Sequence, residues 1–188
     1  MGVHKLVWSF LAIGGSALSF LPVQAQAEAF DGPYVGVEAG VGVLKSKGST
    51  IVGPFSNSAS SAVLSAVVGY RMPLGENSPI VVGAEGNAGI YSKGSNARYG
   101  ISGIGGVRVS DSGLIYLRAG YGWLDGIQTG VGKGIDRLVL GGGGEVKLTD
   151  KLTARADYKY LDYGGVNIPD NIVSFKGHEV VGSVLLNF

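Results

Sequence analysis

One feature constrains the fold of this chain more than any other: an apolar/polar alternation of period two that returns eight times. Period two marks strands with two different faces. In the first segment Val35, Val37, Ala39, Val41 and Val43 share one face, and Gly36, Glu38, Gly40 and Gly42 share the other. Near 60–71, Ala62, Leu64, Ala66, Val68 and Tyr70 oppose Ser61, Ser65, Gly69 and Arg71. Near 114–124, Ile115, Leu117, Ala119, Tyr121 and Trp123 oppose Tyr116, Arg118, Gly120 and Gly122. The same pattern recurs near 80–91, 98–109, 136–148, 152–161 and 176–188.

The two faces differ in an unusual way. One is aliphatic, and the other mixes glycine with nearly all of the strand charges. A secreted soluble barrel or sandwich turns its apolar face inward and needs a well-charged exterior. Here the charges lie among the glycines, which suits a narrow lumen, and the clean aliphatic face suits lipid. Each segment is near the length that a tilted strand needs to cross a bilayer. The connections at about 45–59, 92–97, 125–135 and 162–175 are mostly long and polar. Those at about 110–113 and 149–151 are tight, and 72–79 is looser but carries Pro73, Gly75 and Pro79. Long loops at one end and short turns at the other predict an all-β, eight-stranded, antiparallel, up-and-down transmembrane β-barrel. The even strand number returns both termini to the periplasmic side. On the lipid-facing register Tyr99, Tyr121, Trp123 and Tyr160 fall toward the long-loop ends, and Tyr70 and Phe188 toward the short-turn ends. That is the expected placement of two interfacial girdles.

Composition narrows the alternatives. Glycine supplies 34 of 188 residues, well above the average of roughly 7%. There is no Gly-X-Y period, which rules out collagen. Six prolines and 45% hydrophobic residues argue against a disordered linker. A net charge of +1 lacks the basic excess of a nucleic-acid binder. The absence of cysteine excludes a disulfide scaffold and any cysteine-based zinc site.

Residues 1–27 read as a cleaved secretory signal, leaving a barrel domain over 28–188. Lys5 gives a short basic start, Leu6 to Leu21 is apolar with small interruptions, and Ala25-Gln26-Ala27 presents small residues to a peptidase. A membrane anchor is the competing reading, but the run is short for a span and contains Gly14-Gly15.

The candidate site is the lumen itself. An eight-stranded barrel has an interior that side chains fill, and charges buried there must pair. The alternation turns Glu38, Glu85, Glu145, Asp157 and Glu179 inward, and puts Arg98, Arg108, Arg118, Arg137 and Arg155 inside or near the rims. Arg71, Lys147 and Lys159 face the same way or lie at the rims. We expect glutamates to bridge guanidinium groups in a polar plug. A gated small-solute pore is the alternative. Other chemistry is weakly marked. Gly141 to Gly144 has no Gly-Lys-Ser/Thr after it and sits within a strand pattern. Gly130-Val131-Gly132-Lys133-Gly134 reads as a loop. His178 is the single histidine beyond the leader and has no serine within two residues, so a lipid-modifying enzyme has little support. No catalytic residue, metal or cofactor is assigned.

The opening Asp31-Gly32-Pro33-Tyr34-Val35-Gly36-Val37-Glu38-Ala39-Gly40 resembles the first strand of the opacity/surface-antigen class of small Gram-negative outer-membrane barrels. Tyr116-Leu117-Arg118-Ala119-Gly120-Tyr121-Gly122 is similar to their fifth strand. Gly141 to Val146, followed by Thr149 to Gly164, resembles their sixth strand, tight turn and seventh strand. The resemblance implies a monomeric barrel in the outer membrane without a peptidoglycan-binding domain. It implies that Phe188, as a C-terminal aromatic, belongs to the signal read by the barrel-assembly machinery. It implies outer-membrane lipid as a partner, no nucleic acid, and roles ranging from envelope integrity to adhesion. The connection Lys45–Ala59, with Ile51 and Phe55 amid Ser and Gly, is the expected contact loop for a host or surface ligand.

Overall fold

The computed structural model describes residues 30–50, 53–76, 78–92, 97–124, 135–168 and 171–188. The proposed leader, 1–27, lies outside them. Eight antiparallel strands close into one barrel, each paired with its chain neighbours and β1 with β8. They are β1 (Gly32–Thr50), β2 (Gly53–Pro73), β3 (Ile80–Tyr91), β4 (Ala97–Arg108), β5 (Gly113–Leu124), β6 (Ile135–Lys147), β7 (Leu152–Ile168) and β8 (Asn171–Asn187).

The alternation sets the faces, and they are inside out. Leu117 is 74% exposed while its neighbour Arg118 is 3% exposed. Val37, Leu64, Val68, Ile101, Ile115, Val146, Val180 and Val184 are likewise exposed around the barrel. That pairing of faces is the reverse of a soluble barrel's and is the one a barrel bathed in lipid requires. Tyr99, Tyr121 and Trp123 stand on the outer wall, with the last two rings edge to face at 5.4 Å.

Tight turns join β4–β5 and β6–β7 at one end, and the longer 74–79 link, in which residue 77 lies outside the described residues, joins β2–β3 there. Thr149 caps the β6–β7 turn, its Oγ1 accepting from the Lys151 and Leu152 amides. The chain termini of the barrel lie at this same end, where the Phe188 amide donates to the Pro33 carbonyl at 3.1 Å. By the usual asymmetry this end is periplasmic.

At the other end the structure corrects two expected loops. The segment 45–59 is strand except at 51–52, which lie outside the described residues: β1 runs to Thr50, and β2 begins at Gly53, paired from Thr50↔Gly53 through Lys45↔Ser58. Most of 162–175 is also strand, with a register shift between Asp162 and Gly165 and Gly164 at φ 69°. Beyond the lipid both faces of a hairpin meet water, so the hydrophobic alternation stops. The backbone ladder does not need it and continues. The other two long connections include 93–96 and 125–134, which lie outside the described residues.

Candidate functional site

The lumen is filled in layers. The periplasmic mouth is closed by an apolar group: Phe30, Val81, Ile104, Leu114 and Tyr116. Phe30 precedes β1, holds φ at 66°, and is 3% exposed. Such a φ is strained for a bulky side chain. Burial of the ring under the barrel, with the Arg71 guanidinium 5.3 Å from its centroid, offsets that cost.

Above this stopper lies one continuous ionic network whose charges come from β2, β3, β5, β6 and β7. Glu85 on β3 accepts from Arg118 on β5 at 2.8 Å, from Arg155 on β7, and from the Tyr34 hydroxyl on β1 at 2.9 Å. Glu145 on β6 accepts from Arg155 Nε at 3.0 Å and from Arg71 on β2. Arg118 also lies 3.3 Å from Asp157, which accepts from the Tyr116 hydroxyl. Arg71 reaches Asn187 on β8, whose amide donates to Thr153 Oγ1 at 2.9 Å. Three arginines thus meet three carboxylates, all buried. Each glutamate bridges two guanidinium groups, and the Tyr34 and Tyr116 rings stack against them at 4.5–5.7 Å. The six charges come from five strands, and all of the ion pairs but Glu145–Arg155, which face each other across the β6–β7 ladder, join strands that share no backbone ladder.

Two smaller groups complete the lumen toward the outer end. Lys159 pairs with Glu38. Arg98 pairs with Glu179 at 3.0 Å, and Tyr91 also donates to Glu179. Arg137 differs from the expected pattern. It is buried, yet it meets no carboxylate among the described residues. It donates instead to the hydroxyls of Tyr91 at 3.2 Å and Tyr163 at 3.4 Å. Arg108 also stands apart, half-buried at the periplasmic rim and donating to the Ser78 carbonyl. Phe188 is half-buried at the same rim.

Several lumen residues escaped the sequence reading. Tyr34, Tyr91 and Tyr163 share the inward parity of Glu38, Glu85 and Lys159, so the alternation alone was enough to find them. Phe30 carries no such signal. Val63, Val67, Val139, Val181 and Leu185 are buried inward too, so the lumen is part aliphatic rather than wholly polar. Among the described residues no group of three His, Cys, Asp or Glu is arranged to hold a metal.

An inside-out closed barrel of eight strands, filled by charge pairs, defines an integral outer-membrane barrel protein. The family model described as outer membrane protein beta-barrel domain matches residues 14–188, and the chain belongs to that family. Its location is the outer membrane, which it crosses with its strands. Among curated proteins no sequence matches it. Of solved structures, it is similar to Neisserial surface protein A (NspA), with 19% identity over 84% of this chain and 98% of that one and a TM-score of 0.53. It also matches OprG from Pseudomonas aeruginosa, with 11% identity over 88% of this chain and 100% of that one and a TM-score of 0.45.

Proposed function

We propose that the protein is a sealed structural and surface-interaction barrel, not a conduit and not an enzyme. The observation that supports this is the cross-lumen network of Arg71, Glu145, Arg155, Glu85, Arg118 and Asp157. A guanidinium held by two carboxylates in a low-dielectric interior has no inexpensive alternative partner. The apolar group around Phe30 closes the mouth beneath it. A barrel of this kind contributes an inert membrane anchor and holds rigid hairpins outside the cell. The β1–β2 hairpin, whose residues 55–60 are exposed on both faces, is the surface offered to a host or envelope ligand. Outer-membrane lipid surrounds the wall, and Phe188 serves the barrel-assembly machinery during insertion. Removal of residues 1–27 precedes that step.

Planar-bilayer recording of the purified protein tests the sealed lumen. The expected trace is a bilayer with no channel events above the protein-free baseline. Discrete, reproducible openings would establish the small-solute pore instead.

A further inference from the structure

We propose that the outward face of the β1–β8 seam, just above the apolar band, binds the phosphate groups of an anionic glycolipid in the outer leaflet. Lys45, Lys47 and Lys176 are its ligands. The outward residues of β1 run Val35, Val37, Ala39, Val41, Val43 and then change to Lys45 and Lys47. Those of β8 run Val184, Gly182, Val180 and His178 and then change to Lys176. The register makes these changes level: Val43 pairs with His178, and Lys45 with Lys176. All three lysines are exposed.

Height places this patch at the headgroups. Phe188 and His178 are ten residues apart on β8. At ~3.3 Å per residue and a tilt of about 40°, that spans roughly 25 Å, the height of the apolar band of such barrels. Lys45 and Lys176 are the next outward residues. They lie at the end opposite the short turns, which is the outer leaflet. Immediately below, Tyr158 and His178 are joined at 2.6 Å, and the Tyr160 ring meets the imidazole edge at 5.4 Å. Amphipathic rings of this kind mark the interface.

The patch carries an excess of positive charge, three ammonium groups with one carboxylate, Asp162, opposite Lys176. Like charges directly opposite on neighbouring strands repel. Among the described residues none of the three ammonium groups is in an ion pair. The carboxylate facing Lys176 from β7 is Asp162, which accepts from the Gly164 amide at 2.9 Å and from the Tyr160 hydroxyl. On the other side Ser58 and Ser56 stand opposite Lys45 and Lys47 on the same face and add hydroxyl donors. A phosphate shared by Lys45 and Lys176 turns their repulsion into attraction, while the acyl chains lie along Val41 and Val180. A soluble polyanion would gain nothing from that apolar wall, and this is why the occupant is an amphiphile.

The proposal rests on the long hairpins facing outward. Its test does not depend on that orientation or on a sealed lumen, so each fails separately. The probe is diphosphorylated lipid A in mixed detergent micelles with the intact barrel, against lipid A stripped of both phosphates. Native protein is expected to bind the phosphorylated lipid more tightly, with an affinity that falls as salt rises. Lys45→Ser/Lys47→Ser/Lys176→Ser is expected to lower that affinity by about tenfold or more, since each cation near a membrane surface adds its own increment. Lys151→Ser, at an opposite-end turn, is expected to change nothing. Retained heat-modifiable gel mobility shows that the triple variant is folded. Equal binding by the folded triple variant, or equal binding of the dephosphorylated lipid, would overturn the proposal.

Discussion

Glu85→Ala is expected to destabilise the barrel by about 3–5 kcal/mol, the usual cost of stripping one partner from a buried ionic group. Glu85 accepts from Arg118, Arg155 and Tyr34 at once. Its removal leaves three buried guanidinium groups facing only Glu145 and Asp157. Water cannot rescue them without opening the lumen, because Arg118 and Arg155 have fully buried side chains. Replacing Glu85 and Arg155 together by alanine restores the charge balance. That pair should cost less than the sum of the two single changes, as expected for groups in one network. Urea titration in detergent micelles measures the loss. Trp123, on the outer wall, reports whether the barrel is inserted. A cost under about 1 kcal/mol for Glu85→Ala would mean that the network is not what holds the lumen shut.

Gly40→Ala is expected to cost about 1–3 kcal/mol or more through overpacking. A Cβ at this inward position falls 2.6 Å from the Val181 Cα and closer still to the Val180 carbonyl oxygen. Those are backbone atoms of β8, so relief requires moving the seam that closes the barrel. Gly105→Ala is the control. Gly105 faces lipid and would bring its Cβ within 4 Å of nothing. That change is expected to be neutral or to stabilise by about 0.4–1 kcal/mol, by reducing the freedom of the unfolded chain. The same titration checks both. If the two variants lose equal stability, the inward glycines are not there for strand approach.

This contrast sharpens what the glycines do. The glycines share the inward face with Glu and Arg, where they can serve two needs, room for long side chains and close approach of neighbouring strands. At Gly69 the first need holds, because a Cβ would collide with the Tyr34 ring. At Gly40 and Gly83 the obstacle is the backbone of the next strand, so strong coiling of a narrow barrel is the larger demand.

The membrane-crossing part of the fold was legible because lipid on one side and a packed lumen on the other force period two on every strand. Where lipid ends, that constraint ends, and the sequence went silent. Lys45 to Thr50 and Gly53 to Ala59 look like loop because Ser, Gly and Lys sit on both faces, although the strands pair there residue for residue. Parity also placed the lumen charges on one face. It did not say which carboxylate meets which cation, because partners such as Arg71 and Glu145 come from strands 74 positions apart. Arg137 shows the limit most clearly: its partners are phenols, a choice set by the layer at which it enters the lumen. Phe30 was invisible, since a single ring before the first strand carries no period.

The sealed lumen is tested most directly by thiol chemistry, for which the absence of cysteine from the chain is an advantage. Ser65, Ser102 and Ser183 are buried, face the lumen and differ from cysteine by one atom. Each single Ser→Cys variant, folded in vesicles, is exposed to a membrane-impermeant maleimide. No labelling of the folded protein is expected at any of the three positions, and full labelling after heat denaturation. Rapid labelling of folded Ser102→Cys would contradict the sealed lumen, because water would then reach the middle of the barrel.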